Sequence, residues 1–153
     1  QKDIRPFIER VRALGLAVKL DTNGTYPDKL RELIGAGLLD YVAMDVKNSP
    51  TRYAETVGLP SLDLAPIEES VRILKEGRVP YEFRTTVVRE LHSEADMAAI
   101  ARWLHGAERY FLQQFTDSGA LLGEGYTAHS AEQLRAFSDI VKPYIPAVSL
   151  RGI

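Results

Sequence analysis

The sequence predicts an α/β fold in which about five strands alternate with single helices. Three observations support this class. Apolar residues at helical spacing alternate with short runs rich in β-branched and aromatic residues along the 153 residues. A helix between successive strands makes those strands parallel, because it returns the chain to the starting edge. The 45% apolar and 26% charged residues and the net charge of −2 are typical of one globular domain, here residues 1–153.

The first half of the chain contains three predicted helices and two predicted strands. The first strand ends in an Asn23-Gly24 turn, and Pro27 opens the helix that follows. Residues 48–50 break the second strand, after which Thr51 can cap a short helix. The predicted helices span residues 3–14, 27–35 and 51–57, and the predicted strands span residues 17–22 and 41–47.

The second half repeats the alternation three times. Ser93 and Asp96 have the spacing of a capping box, and Ser130 can cap the last helix. A loop over residues 116–129 is rich in Gly, Ser and Thr, and loops of that length are usually functional or mobile. The predicted helices span residues 64–76, 94–105 and 131–142, and the predicted strands span residues 81–88, 110–115 and 147–150.

Polar side chains gather on one face of the predicted strands. Alternation in the second strand sets Val42, Met44 and Val46 against Asp45 and Lys47. The apolar face is expected to pack against helices, so the polar face points to the interior near the carboxyl ends of the strands, where such folds place their chemistry. The interior set predicted in this way is Lys19, Asp21, Asn23, Asp45, Lys47, Glu82, Arg84, Thr86 and one of Gln113 and Gln114.

Two interpretations of this set stay open at this point. It could be a structural ion-pair network, since buried charges are costly unless they are paired. It could instead bind a zwitterionic ligand, with Lys47 and Arg84 holding a carboxylate and Asp21 and Asp45 holding an ammonium group or a cation. Clustering at strand ends favours the second interpretation.

The composition excludes several classes of function. The absence of cysteine excludes disulfides, thiolate metal sites and thiol catalysis within these residues. No apolar run approaches the ~18 residues of a membrane span, and scattered Lys and Arg argue against nucleic-acid binding. His92, His105 and His129 lack metal-ligand spacing and are expected on the surface or in loops, and Trp103 is expected to serve packing.

Three stretches resemble consecutive barrel strands of radical S-adenosylmethionine activating enzymes. They are VKLDTNG at residues 18–24, YVAMDVK at residues 41–47 and YEFRTTVV at residues 81–88. ARWL at residues 101–104, followed by YFLQQF at residues 110–115, makes the sequence most similar to anaerobic ribonucleoside-triphosphate reductase activating proteins. These are close relatives of pyruvate formate-lyase activating enzymes, and the resemblance covers nearly the whole chain in the right order.

The resemblance implies the C-terminal portion of a partial parallel (β/α)6 TIM-like barrel. It implies a cytoplasmic enzyme that uses a [4Fe-4S] cluster and S-adenosylmethionine. In this family the reduced cluster cleaves the sulfonium to a 5′-deoxyadenosyl radical, which takes a hydrogen atom from a glycine in the glycyl radical domain of the partner reductase.

The resemblance also implies roles for individual residues. Asp21 and Thr22 match positions near the methionyl carboxylate and an associated monovalent cation, which Asp45 could share. Asp45 and Lys47 match an Asp-x-Lys pair that contacts S-adenosylmethionine. The implied binding set is Asp21, Thr22, Asn23, Asp45, Lys47, Arg84 and Gln114.

Two family motifs are absent from the 153 residues. The CxxxCxxC loop that binds the cluster and a Gly-Gly-Glu strand end would both lie upstream of Gln1. We therefore expect the C-terminal part of an activating enzyme, inactive alone and without a cluster or a catalytic residue of its own. The strand at residues 17–22 would lack a neighbour, so self-association through that edge is expected.

Three other functions stay open. A pyruvate formate-lyase-type activase shares the same scaffold. A lyase or aldolase barrel could form a Schiff base on Lys47, although that chemistry needs a lowered lysine pKa and the nearby carboxylate of Asp45 would raise it. A non-catalytic partner-binding module could use the loop at residues 116–129.

Overall fold

A computed structural model of the chain describes residues 4–117 and 125–153. Helices and strands alternate through these ranges as the sequence predicts. The elements are α1 (Ile4–Ala13), β1 (Lys19–Thr22), α2 (Pro27–Gly35), β2 (Tyr41–Asp45), a 3-10 turn (Pro50–Arg52), α3 (Tyr53–Thr56), α4 (Ala65–Lys75), β3 (Tyr81–Val87), α5 (Glu94–Trp103), β4 (Tyr110–Gln114), α6 (Ala131–Val141) and β5 (Val148–Arg151).

The strands form one sheet in the order β1-β2-β3-β4-β5. The pairings of β1 with β2, of β3 with β4 and of β4 with β5 are parallel, which confirms the predicted α/β class. The strand β1 lies at one edge of this sheet, which is the position that self-association through it would need. That self-association stays a prediction. No helix in the described ranges is long and apolar enough to cross a membrane.

The chain folds as two compact units. The first unit comprises the residues up to Asp45 together with Ala65–Glu82, and the second comprises Val46–Leu64 together with Phe83–Ile153. The strand β3 contributes its first two residues to the first unit and the rest to the second. The expectation of a single domain stays a prediction.

The core of the first unit lies between its strands and the helices α2 and α4. Val42 and Met44 have no exposed surface, so the predicted apolar face of β2 is buried, and Ala43 on the opposite face is fully buried as well. The helix α1 contributes Ile8, whereas Phe7 and Leu14, which share its helical spacing, are 54% and 76% exposed. The apolar spacing of α1 therefore marks the helix correctly but not its buried face.

The core of the second unit is formed by β3, β4, α5 and α6. The inward positions predicted for α5, at Met97, Ile100 and Leu104, are fully buried. Trp103 packs edge-on against Tyr53 with ring centroids 6.2 Å apart, which confirms its packing role. Other large buried side chains of this unit include Phe83, Tyr110, Leu112, Leu134 and Phe137.

Local signals at the helix starts are mostly confirmed. The Ser93–Asp96 capping box forms in both directions, and the Ser130 hydroxyl accepts from the Gln133 amide. The prediction that Thr51 caps the short helix was wrong, because Pro50 opens a 3-10 turn one residue earlier and Thr51 lies inside it. Residues 118–124 of the predicted loop at 116–129 lie outside the described residues.

Candidate functional site

A charged face runs along the strands of the first unit. Lys19 Nζ lies 3.5 Å from an oxygen of Asp21 and 4.0 Å from an oxygen of Glu82. The Tyr41 hydroxyl donates to Glu82 at 3.0 Å, and the register pairs Lys19 with Tyr41 and Asp21 with Ala43. The shared face predicted for Lys19, Asp21 and Glu82 is thus confirmed.

The carboxylates of this face have different environments. Glu82 is only 3% exposed, and the Tyr41 hydroxyl and the Lys19 ammonium compensate its charge. Asp21 and Lys19 are exposed, and exposed ion pairs contribute about 0–1 kcal/mol. The face is therefore not a closed ion-pair network, because the Asp21 carboxylate stays accessible to solvent and to a ligand.

A tight turn follows the end of β1. The Thr22 hydroxyl accepts from the Gly24 amide at 3.1 Å. The Asn23 side-chain oxygen accepts from the amide and the hydroxyl of Thr25 at 3.1 and 2.8 Å. These bonds use the side-chain oxygens of Thr22 and Asn23 to shape the turn that follows Asp21. Asp45 is the last residue of β2 and is half-buried.

A cleft of about 470 Å³ opens beside Asp21, Thr22 and Asn23. Much of its wall is apolar and comes from α1, β1 and α2. The apolar wall residues are Ile4, Leu20, Tyr26, Leu30 and Leu33. No residue of β2 or β3 lines this cleft. The cleft therefore meets the charged face only at the end of β1, beside Asp21, and does not enclose the rest of that face.

In the second unit, hydrogen bonds fix the backbone on both sides of the Lys47 α-carbon. The Val46 amide donates to the Arg84 carbonyl at 2.8 Å, and the Thr85 hydroxyl donates to the Val46 carbonyl at 2.7 Å. The Lys47 carbonyl accepts from the imidazole of His92 at 2.9 Å. Lys47 is half-buried and lies two residues beyond the end of β2, so it projects from a loop whose path is strongly determined.

His92 lies in the loop between β3 and α5, which agrees with the loop alternative of the prediction, but it is only 3% exposed and so is not a surface residue. Its Nδ1 accepts from the Val88 amide at 3.0 Å. Burial lowers the pKa of His92, although the hydrogen bond to the Lys47 carbonyl partly opposes this. The sequence holds one weak signal for this burial, namely a position between a strand end and a capping box.

Gln114, the last residue of β4, carries an unusual polar group. Its amide nitrogen donates to the His129 carbonyl at 2.6 Å. Its amide oxygen is buried and has no hydrogen-bond partner among the described residues. Leaving such an acceptor unsatisfied costs about 1–3 kcal/mol, so a donor from a ligand or a water molecule would be stabilising there. Arg84 is half-buried within β3 of the same unit.

A buried polar network joins the loops that follow β2 and β3 in this unit. Asp96 accepts from the Ser49 hydroxyl at 2.8 Å and from the Arg52 guanidinium at 3.0 Å. Burial alone would raise the pKa of Asp96, but hydrogen bonds from Ser93, Ser49 and Arg52 outweigh it and lower the pKa. Sequence reasoning identified Asp96 as a cap but missed this network.

The described residues contain no group of three or more His, Cys, Asp or Glu side chains able to hold a metal ion. Outside the buried His92, the His105 ring packs edge-on against Tyr144 and the His129 ring against Phe137. The chain has no cysteine, so its residues do not fit an iron–sulfur cluster held by thiolates.

Known proteins similar to this chain were found at the level of sequence and of fold. The chain is 35% identical over 160 residues to a Methanocaldococcus jannaschii protein named as a glycyl-radical enzyme activating enzyme. The match covers the whole chain and 66% of that protein, so the chain spans slightly less than two thirds of this relative. No protein-family model matches the chain.

A solved structure shares the fold. It is a domain of a pyruvate-formate lyase-activating enzyme from Bacteroides vulgatus, with a TM-score of 0.76. The superposition covers 96% of this chain and 88% of that domain at 17% sequence identity. The two chains therefore share the parallel α/β architecture, in agreement with the predicted fold.

Proposed function

We propose that the chain is the S-adenosylmethionine-binding part of a glycyl-radical enzyme activating enzyme. One observation carries the proposal, namely the 35% identity that extends over the whole chain to a protein with that name. The polar residues at the strand ends of each unit support it, because they offer carboxylates, cations and an unsatisfied acceptor to a ligand of mixed charge.

The residues present fit such a ligand. Asp21 and Asp45 are suited to its ammonium group or to an accompanying monovalent cation, and Lys47 and Arg84 are suited to its carboxylate. The buried oxygen of Gln114 can accept a hydrogen bond from the ligand. Thr22 and Asn23 complete the proposed set at the end of β1. When bound, S-adenosylmethionine supplies the radical chemistry by which a glycine loses a hydrogen atom.

The iron–sulfur cluster of this chemistry is not held by these residues. Its usual ligands are cysteine thiolates, and the 153 residues contain none. The thiolates therefore have to come from residues outside these 153, and the chain alone is proposed to be inactive. What the chain itself contributes is the binding and orientation of the sulfonium ligand.

For the protein substrate, we propose the glycyl radical domain of an anaerobic ribonucleoside-triphosphate reductase. The segments at residues 101–104 and 110–115, which resemble the activating proteins of that reductase, support this choice. A pull-down with that domain, run beside the equivalent domain of pyruvate formate-lyase, tests it. Preferential capture of the formate-lyase domain would contradict this choice of partner.

Binding of S-adenosylmethionine to the chain tests the proposed function. We expect isothermal titration calorimetry to show saturable binding with one ligand per chain. Asp45→Asn and Lys47→Met are each expected to weaken it about tenfold, which corresponds to the loss of one charge-assisted hydrogen bond.

An exposed charged pair at the C-terminal end of α6 provides a matched control. Lys142 and Asp139 form an ion pair at 2.8 Å on the surface of the second unit. Asp139→Asn and Lys142→Met change charge by the same amounts and should leave the dissociation constant unchanged. The proposal fails if the folded chain shows no saturable binding, or if the control variants weaken binding as much as the variants of Asp45 and Lys47.

A further inference from the structure

We propose that His92 and His129 form a hydrogen-bonded relay that positions Lys47 and Gln114 for ligand binding. This inference rests on the proposed function, since it takes those two residues as ligand contacts. All four residues belong to the second unit. His92 and His129 are positioning residues here, because they act through the groups to which they are bonded.

The first half of the relay joins His92 to Lys47. The Lys47 carbonyl can only accept, so the Nε2 atom of His92 must carry the proton in the 2.9 Å contact. In the neutral ring the Nδ1 atom is then an acceptor, and it receives the Val88 amide at 3.0 Å. One tautomer of the neutral imidazole therefore satisfies both contacts. The lowered pKa of the buried ring agrees with this neutral form.

The second half of the relay joins His92 to Gln114 through His129. The His129 Nε2 atom lies 3.1 Å from the His92 carbonyl, so it acts as the donor. The His129 carbonyl accepts from the Gln114 amide nitrogen at 2.6 Å. The His129 ring is also held edge-on against Phe137, with centroids 4.9 Å apart. Its orientation is therefore fixed by both a polar and an apolar contact.

The effect of the relay follows from where its ends lie. One end fixes the backbone carbonyl of Lys47, beyond the end of β2, and the other end fixes the side-chain amide at the end of β4. Because the amide nitrogen of Gln114 is used by His129, its buried oxygen remains as the acceptor for a ligand. Loss of the His92 imidazole would release the Lys47 carbonyl, and loss of the His129 imidazole would free the His129 backbone, whose carbonyl holds Gln114. Neither change removes a side chain that contacts the ligand.

Variants of the two histidines test the relay. We expect His92→Phe and His129→Leu each to weaken S-adenosylmethionine binding about tenfold, the effect of losing one well-formed hydrogen bond. His92→Gln should stay within about threefold of the parent chain, because its amide nitrogen can replace Nε2 as the donor to Lys47. His105→Phe is the matched control, since His105 is exposed and lies outside the relay.

The nuclear magnetic resonance signal of the Gln114 side-chain amide provides a readout that needs no ligand. The signal is assigned by its disappearance in Gln114→Leu. We expect His129→Leu to shift it, because that variant frees the backbone of His129, and His105→Phe to leave it in place. A parent chain that fails to bind S-adenosylmethionine would refute the proposed function, and with it the ligand-positioning role of the relay. The Gln114 signal would then show whether the hydrogen bonds of the relay exist.

Three results would overturn the proposal. The first is that folded His92→Phe and His129→Leu chains bind S-adenosylmethionine like the parent chain. The second is that His129→Leu leaves the Gln114 signal unshifted. The third is that His92→Gln weakens binding as much as His92→Phe, which would indicate a packing role. Circular dichroism reports folding, and if His92→Phe does not fold, the half-buried position of His129 makes His129→Leu the deciding variant.

Discussion

At Gly24, the turn beyond β1 leaves no room for a side chain. Its φ is +77°, and a Cβ atom placed there would lie 2.2 Å from the terminal carbon of the Met44 side chain. Met44 is fully buried, so that side chain cannot move into solvent. We expect Gly24→Ala to lower the free energy of unfolding by about 2–4 kcal/mol, through backbone strain and overpacking, as measured by urea denaturation.

Gly15 is the control for this substitution. It has the same φ of +77°, but nothing lies within 4 Å of its ideal Cβ position. Gly15→Ala should therefore cost only the strain of the left-handed backbone, about 1–2 kcal/mol. Equal losses for the two variants would mean that the contact with Met44 adds nothing.

Several side chains stabilise the N-terminus of α5. Asp96 completes the capping box and accepts hydrogen bonds from Ser49 and Arg52, although it is only 5% exposed. We expect Asp96→Ala to lower the free energy of unfolding by about 3 kcal/mol, because it breaks a buried ion pair and leaves its donors unsatisfied. Thermal and urea denaturation both measure this loss.

The cap of α6 provides the comparison. The Ser130 hydroxyl accepts from the Gln133 amide at 3.1 Å in an exposed position. Ser130→Ala should therefore cost about 1 kcal/mol, the usual contribution of an N-cap. If Asp96→Ala costs no more than this, the buried contacts of Asp96 are not stabilising.

The sequence predicts elements well where the signal is local. The spacing of Ser93 and Asp96 identified the start of α5, and alternation along β2 identified the burial of Val42 and Met44 but not that of Ala43. What it missed depends on contacts between distant residues. The burial of His92 requires the Lys47 carbonyl, 45 positions away, to accept a hydrogen bond from its ring. The hydrogen bond between Ser49 and Asp96, which are 47 positions apart, likewise cannot be predicted from any periodic pattern.

At the scale of the whole molecule, the parallel strands could be predicted because single helices connect them, whereas the division into two units could not. Each unit combines segments that are distant in sequence, for example the residues up to Asp45 with Ala65–Glu82. Local sequence patterns likewise cannot assign roles to the residues of the proposed binding set. The family resemblance therefore supplied those residue roles, which the binding experiments test.

The amino-acid composition of the whole chain determines whether it can bind an iron–sulfur cluster. With no cysteine among the 153 residues, we expect anaerobic incubation with iron and sulfide to yield no [4Fe-4S] signal in electron paramagnetic resonance after reduction. We also expect no cleavage of S-adenosylmethionine to 5′-deoxyadenosine, even though the ligand binds. A ferredoxin reconstituted in parallel verifies the procedure. A signal of about one cluster per chain, together with cleavage, would show that other side chains replace the thiolates. It would contradict the proposal that the chain binds S-adenosylmethionine but does not hold the cluster.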